Sequence, residues 1–422
     1  MRSNAIKPKG WIVFSLLVLL TAMSGIVCLL SLPPGWIDST GQFVFGTEGH
    51  LQATLFAAPG NFSGVIDQSN SRHLEPPGFS VLLHLWKTIS STPFWLRLLP
   101  FIGFLGMAAT AYRILRCSEV PVAEAILLTS LFASSPLLFP FAAQMRPYSF
   151  GAWGTLYVLS VLYRYTPQRT ALWKFTTGLS ISFFLWMRYP FWIAAGVAAT
   201  LLFFKILLKK DRRLWLHFVL FLLPQLISAV LIYMYSLRFQ DVSGRLHEFA
   251  RATNVQDQQG FSVLWKGVFY YGAVVAFFAV LPFRERFKYP IHLGRFGLFT
   301  ALLFLSWNLF SYFAGIPANP ATHWAIGLNV TALMCLFIVL SVLLFYVPGR
   351  SKPLFYVLLA TLALFQPLRT AWAWYRGTSF CNPAVHVDAQ KLFPDKKTVV
   401  LLSYEKLWNA LPKSGISGNF AA

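Results

Sequence analysis

The chain has 422 residues, with 35 Lys+Arg against 14 Asp+Glu, a formal net charge of +21 and a mean hydropathy of +0.58. Only 12% of positions are charged and 56% are apolar, against roughly 25% charged in an ordinary soluble domain. That is too little charge to coat a water-facing surface. Soluble globular, disordered and disulfide-scaffold classes are excluded, and an integral membrane protein with many spans remains. The positive excess fits Lys and Arg gathered in cytoplasmic loops, so no nucleic-acid partner is expected. Cys28, Cys117, Cys335 and Cys381 lie far apart with no metal-ligand spacing, as expected of small apolar residues.

In chain order, the first apolar run is Trp11 to Leu32, free of charge and preceded by Arg2, Lys7 and Lys9. It is long enough to span. Pro33-Pro34-Gly35 offers no small-residue cleavage site, so a retained helix with its N-terminus inside is expected. Further spans are expected at 95–116, 121–143, 148–165, 173–188, 190–208, 214–237, 264–283, 297–314, 325–346 and 353–372. The expected fold class is therefore an all-α polytopic membrane protein with about 11 transmembrane helices.

Basic clusters fall on alternate loops: Arg113 and Arg116; Arg164, Arg169 and Lys174; Lys205, Lys209, Lys210, Arg212 and Arg213; Arg284, Arg286, Lys288 and Arg295; Arg350 and Lys352. Most of the acids fall on the other face. The two signs sort to opposite sides, which sets the alternation. The least secure pair is 173–208, whose outer turn Met187-Arg188-Tyr189-Pro190 is very short.

The domain plan is a membrane domain over 1–372, with a first outer loop at 33–94 and a second at 238–263, then a small outer segment over 373–422. In that last segment Lys397 to Tyr404 reads as a strand and Glu405 to Leu411 as a helical turn or two. Fifty residues hold no large independent core, so the segment is expected to pack on the membrane domain. No internal repeat is visible, against a repeat-built transporter.

The first outer loop carries Asp38, Glu48, Asp67 and Glu75, yet it is not hydrophilic. His50 to Phe56 reads as a helix, and Pro77 to Ile89 is an apolar stretch too short to span. The latter suits a helix lying at the interface, with Trp86 and Lys87 as anchors. The loop is expected to fold back on the membrane and hold its carboxylates beside the bundle.

The order of motifs here resembles multi-span glycosyltransferases of the C-type fold (GT-C). These use polyprenyl-phosphate sugars and include protein O-mannosyltransferases and the aminoarabinose transferases of lipid A. The resemblance rests on Gly46-Thr47-Glu48-Gly49-His50-Leu51, on Arg72-His73-Leu74-Glu75-Pro76-Pro77 running into an interfacial helix, on Arg97 and Pro100, and on Gln144-Met145-Arg146-Pro147-Tyr148-Ser149. It covers about residues 10–165. The chain departs from the family in three places. Glu48 stands alone where an acidic pair is usual. Glu75 precedes the prolines where His or Lys is usual. Pro320-Ala321-Thr322-His323-Trp324 stands where a late Arg-Tyr is usual.

The resemblance implies transfer of a sugar from a polyprenyl-phosphate donor to a glycan, lipid or protein acceptor at the outer face of the membrane. In a bacterial inner membrane that face is periplasmic. Such transfer needs a carboxylate to take the acceptor proton and cations or a metal to stabilise the leaving phosphate. Glu48 is the first choice of base, Asp38 the reserve, and Glu75 an orienting group or a partner of His73 on a divalent ion. No cofactor is certain; a divalent metal at His73 and Glu75 is the one candidate. Each acid also has a plainer reading: Glu48 as a solvated loop acid, Asp38 as a cap, Glu75 as a charge favoured at a helix N-terminus.

Arg146, beside Pro147 and Tyr148, is the expected phosphate ligand, with snorkelling as its plainer role. Arg188, among Trp186, Tyr189 and Trp192, reads first as an interface anchor and second as a substrate ligand. His323 is a phosphate or acceptor ligand, or a satisfied interface histidine. Arg245, His247 and Arg251 belong to the second outer loop and either cover the site or face solvent.

Two rival readings differ in where the critical residues lie. A polysaccharide polymerase or ligase would place them in late outer loops. A transporter or flippase of lipid-linked sugars would need charges at the centres of several spans, and these spans are nearly free of them. The alternation itself is testable: a reporter fused after Ala422 should lie outside the cytoplasm, and a cytoplasmic signal would overturn the odd span number.

Overall fold

The structure, a computed structural model, describes residues 61–72, 75–90, 93–117, 120–135, 138–165, 169–208, 212–240, 293–313, 326–348 and 351–375, with positions 16 and 19. Among these residues all regular structure is helical. The helices are α1 (Phe62–Arg72), α2 (Gly78–Lys87), α3 (Pro93–Cys117), α4 (Val122–Ala133), α5 (Tyr148–Arg164), α6 (Ala171–Met187), α7 (Pro190–Leu207), α8 (Arg212–Tyr235), α9 (Leu293–Phe313), α10 (Ile326–Tyr346) and α11 (Lys352–Tyr375), with short 3₁₀ turns at Phe139–Ala142 and Leu237–Phe239.

Among the described residues three helices are long and apolar enough to cross a bilayer: Phe94–Cys117, Pro190–Leu207 and Arg213–Phe239. The apolar stretches Val122–Ala133, Phe296–Phe310, Ile326–Ser341 and Lys352–Phe365 are shorter. These are the marks of a membrane protein. Apart from positions 16 and 19, the expected span at 11–32 lies outside the described residues, as do the expected span at 264–283, the His50–Phe56 helix and the expected strand and turn within 397–411.

One expected span is broken. The segment 121–143 forms α4 only as far as Ala133, then a 3₁₀ turn at Phe139–Ala142. Pro136 and Pro140 explain the break, since proline removes a helix donor and disfavours helical geometry just before itself. The hydroxyls of Ser130 and Ser134 donate to the carbonyls of Ile126 and Ser130, as serines buried in a helix do. The expected 173–208 pair forms two helices, α6 and α7, separated only by Arg188 and Tyr189, and of the two α7 is long and apolar enough to cross a bilayer. The indole of Trp192 donates to Leu185 O at 3.1 Å and braces that turn. Thr170 starts α6 by accepting from Trp173 N at 3.1 Å, and Pro190 opens α7 where a missing donor costs nothing.

Packing follows small residues. α6 and α8 share the broadest interface, where Gly178 lets the Phe221 carbonyl approach so closely that a Cβ would collide with it. Gly103 and Gly106 of α3 leave room for Phe150 and Trp153 of α5. Trp153 Nε1 donates to Thr110 Oγ1 at 3.1 Å and Ser149 Oγ to Pro100 O at 2.8 Å across the same interface. The interfacial helix expected over 77–89 is α2, clasped to α3 by a stack of Trp86 on Trp95 with centroids 4.7 Å apart. Each indole donates to the other's backbone carbonyl, at 2.8 and 3.0 Å. Trp86 is thus a clasp between helices, more than a lipid anchor.

The two ends of the bundle differ. At the end holding the α5–α6 connection and the C-terminus of α7, Lys205 Nζ donates to Tyr165 O at 3.0 Å and Lys174 Nζ lies 2.6 Å from His217 Nδ1. The start of α5, the end of α6, the start of α7 and the end of α8 meet at the other, and α2 lies against them. Gly78 marks how near: its Cβ position is occupied by the backbone of Trp186. Gly78→Ala should therefore lower stability by about 1–3 kcal/mol, while Gly196→Ala, whose Cβ would meet nothing within 4 Å, should be neutral or slightly stabilising. Thermal unfolding of the detergent-solubilised variants checks the contrast.

Candidate active site

At this second end three segments far apart in sequence bring four of the expected site residues together. Glu75 comes from the loop between α1 and α2, held by Pro76-Pro77. Arg146 and Tyr148 come from the turn that opens α5. Arg188 is the residue that ends α6. Arg188 Nε lies 3.5 Å from Glu75 Oε1, and its guanidinium stacks 4.4 Å above the Tyr148 ring. Arg146 Nη1 donates to Tyr148 OH at 2.7 Å. Tyr148 is thus held between two guanidiniums, one on its face and one at its hydroxyl.

Arg188 is completely buried, at 0% exposure. The expectation of an interface anchor is corrected: a snorkelling arginine keeps its head in water, whereas this one turns inward onto a carboxylate. Gly151 makes the inward turn possible, because a Cβ there would sit 2.9 Å from Arg188 Cδ. Arg146 is half-buried, so it is the more accessible of the two cations.

Burial governs the charges. Glu75 is buried, and its Oε2 has no hydrogen-bond partner among the described residues. Burial pushes its carboxyl up from 4.5 to about 7, against the pull of Arg188 and, more weakly, Arg146. A carboxylate that titrates near neutrality beside cations can take up and release a proton in the working range of an enzyme. Two guanidiniums against one carboxylate leave this cluster positive, so it favours an anion.

The expected sharing of a metal between His73 and Glu75 has a cation in the way. Glu75 Oε1 faces Arg188, whose charge works against a divalent ion on that side. His73 lies outside the described residues, as do Asp38, Glu48, His323, Arg245, His247 and Arg251. Arg97 is described and fully buried near the start of α3, and Pro100 lies inside that helix.

Beside the cluster a narrow slit of about 10 Å³ runs between α5, α7, α9 and α10, lined by Arg188, Thr155, Pro190, Ala194, Trp307 and Ile326 among others. The buried Trp307 Nε1 on its wall has no hydrogen-bond partner among the described residues. Next along α7 a wider cleft of about 340 Å³ opens against α9, lined by Ile193, Gly196, Val197, Thr200, Leu302 and Ser306. The two share Ile193, but the slit at Arg188 is only about the size of one water molecule, so the cleft is a separate apolar feature farther along α7.

Sequence reasoning missed Asn70, Tyr189, Ser236 and Gln240, which form a buried polar network beside Glu75. Only polar residues at helix ends in an otherwise apolar chain pointed that way. Comparisons with protein-family models, curated proteins and solved structures give no match.

The raised Glu75 value sets a sign for stability. A neutral carboxyl is favoured by the fold, so its contribution is complete below 4.5 and is lost as pH rises through about 7. Wild-type protein should therefore lose thermal stability across that window. Glu75→Gln should lack that loss, and equal slopes in the two proteins would show that Glu75 ionises as in water.

Proposed function

We propose that the protein is an integral membrane glycosyltransferase with a GT-C-like architecture. It moves one sugar from a polyprenyl-phosphate carrier to a hydroxyl of a glycan, lipid or protein acceptor, at the outer face of a membrane such as the bacterial inner membrane. The observation that carries this reading is the meeting of Glu75, Arg146, Tyr148 and Arg188 at one end of the bundle. The apolar cleft between α7 and α9 is the nearest described groove that an isoprenoid chain could occupy.

In this reading the acceptor hydroxyl gives its proton to a carboxylate and its oxygen attacks the anomeric carbon. The bond from that carbon to the phosphate oxygen breaks, and the lipid phosphate leaves with the electron pair. Glu75 is the carboxylate that the geometry favours as base; Glu48, the first choice from sequence, is the alternative. Protonation of Glu75 removes the counter-charge of Arg188 at the moment the departing phosphate gains charge. The same proton transfer thus strengthens the anion site when it is needed. Arg146, more accessible, grips two phosphate oxygens as a planar fork can.

The test is binding and turnover of a radiolabelled polyprenyl-phosphate sugar by purified protein in lipid nanodiscs. Glu75→Gln should keep donor binding and lose roughly 10²-fold or more in turnover, and Glu48→Gln should do so instead if Glu48 is the base. Arg146→Lys should keep part of the activity and Arg146→Ala should lose most of it. Gly196→Phe, which fills the cleft, should raise the donor KM. Normal kinetics in Arg146→Ala would reduce that residue to a membrane anchor and remove the phosphate site.

A further inference from the structure

We propose that Gln240, through Ser236 and Asn70, is the positioning residue of this site, locking the Glu75 loop onto the turn that carries Arg188. The inference rests on reading Glu75 and Arg188 as the working pair. Gln240 ends the 3₁₀ turn that follows α8 and sends its side chain into the protein, at 7% exposure. Its Nε2 donates to the Glu75 backbone carbonyl at 3.0 Å and to Ser236 Oγ at 3.0 Å, with Asn70 Oδ1 at 3.3 Å. Ser236 Oγ donates to Asn70 Oδ1 at 2.6 Å, and Asn70 Nδ2 donates to Tyr235 O at 2.9 Å.

Proton accounting orients both amides. Ser236 has a single hydroxyl proton, spent on Asn70, which leaves its lone pairs to receive Gln240 and the Tyr189 hydroxyl, 3.3 Å away. Asn70 must aim its nitrogen at the Tyr235 carbonyl, which turns its oxygen to Ser236 and Gln240. Gln240 cannot flip, because its oxygen would then face the Glu75 carbonyl and the Asn70 oxygen. Gln240 Oε1 has no hydrogen-bond partner among the described residues, so the donors of Gln240 set the network, and a buried network of this kind fixes geometry as well as adding energy.

The network reaches both members of the pair. On one side it holds the backbone of Glu75. On the other it holds Tyr189, which adjoins Arg188 and begins α7. The role is one of placement: Gln240 touches the Glu75 backbone, not its carboxyl.

The test needs no substrate. Infrared titration of full-length protein in nanodiscs follows the protonated carboxyl stretch of Glu75, assigned by its loss in Glu75→Gln. Gln240→Met keeps the volume and removes the donors. The abandoned Glu75 carbonyl should then draw in water, and the Glu75 midpoint should fall toward the ordinary carboxylate value. Ser236→Ala should shift it the same way by less, and it decides the matter if Gln240→Met does not fold. Lower thermal stability with an unmoved Glu75 midpoint would mean a packing role only and would overturn the proposal. If the transferase activity is present, Gln240→Met should lower kcat roughly 10- to 100-fold with little change in donor KM, as misplacement of a reacting group does. A shifted midpoint without any transferase activity would leave the positioning role standing and sink the enzymatic reading.

Discussion

A carboxylate and a guanidinium buried against each other at the end of an apolar helical bundle impose the strictest demand on this structure. Removing either ion from water costs several kcal/mol, and mutual attraction offsets this only with good geometry and further polar partners. The surroundings of Glu75 and Arg188 read as answers to that demand. Tyr148 offers the guanidinium an aromatic face, Gly151 clears its path, and Arg146 approaches through the Tyr148 hydroxyl. Even so, burial outweighs the pair's attraction for Glu75, whose carboxyl rises to about 7. A pair left in this partly compensated state is a poor device for stability alone, and that is the physical reason to look for chemistry there.

Satisfying the pair constrains the helices around it. α2 must come so close to the end of α6 that only glycine fits at position 78. The Trp86–Trp95 clasp then fixes the far end of α2 on α3. α5 is set against α3 by Ser149 and Trp153, which brings Arg146 and Tyr148 to the same level as Arg188. α7 starts beside this group and leads away from it with a cleft on its α9 side. A positive cluster at one end and an apolar cleft farther along α7 are the two features an amphipathic ligand would need.

Some of this was legible before any folding was considered. Apolar run length and charge sorting located the helices, because a bilayer leaves few other ways to satisfy a backbone. The prolines at 147 and 190 marked helix starts, and Pro76-Pro77 marked the start of α2. The break after Ala133 was also written in Pro136 and Pro140, but hydropathy averaged over the segment concealed it. Arg188 was misjudged for a related reason. Aromatic neighbours at a helix end describe an interface anchor and a buried cation equally well, and only the direction of the side chain separates them. Asn70, Ser236 and Gln240 gave almost no local signal, since each is an ordinary polar residue until its partners arrive from more than 160 positions away in sequence.

The sequence by itself determined the class of molecule: helical, apolar and basic, with runs long enough to cross a membrane. Those properties depend on composition and on periods of a few residues, which the chain carries locally. It also singled out Glu75, Arg146 and Tyr148, through motifs that resemble those of GT-C glycosyltransferases. Tertiary structure alone decided that Arg188 joins them, that Glu75 is the acid they surround, and that an amide network from α1 and α8 holds the pair in place. Pairing between distant residues depends on which helix ends meet and at what depth. That is set by close approaches at single glycines and by the directions of individual side chains, which no local pattern encodes.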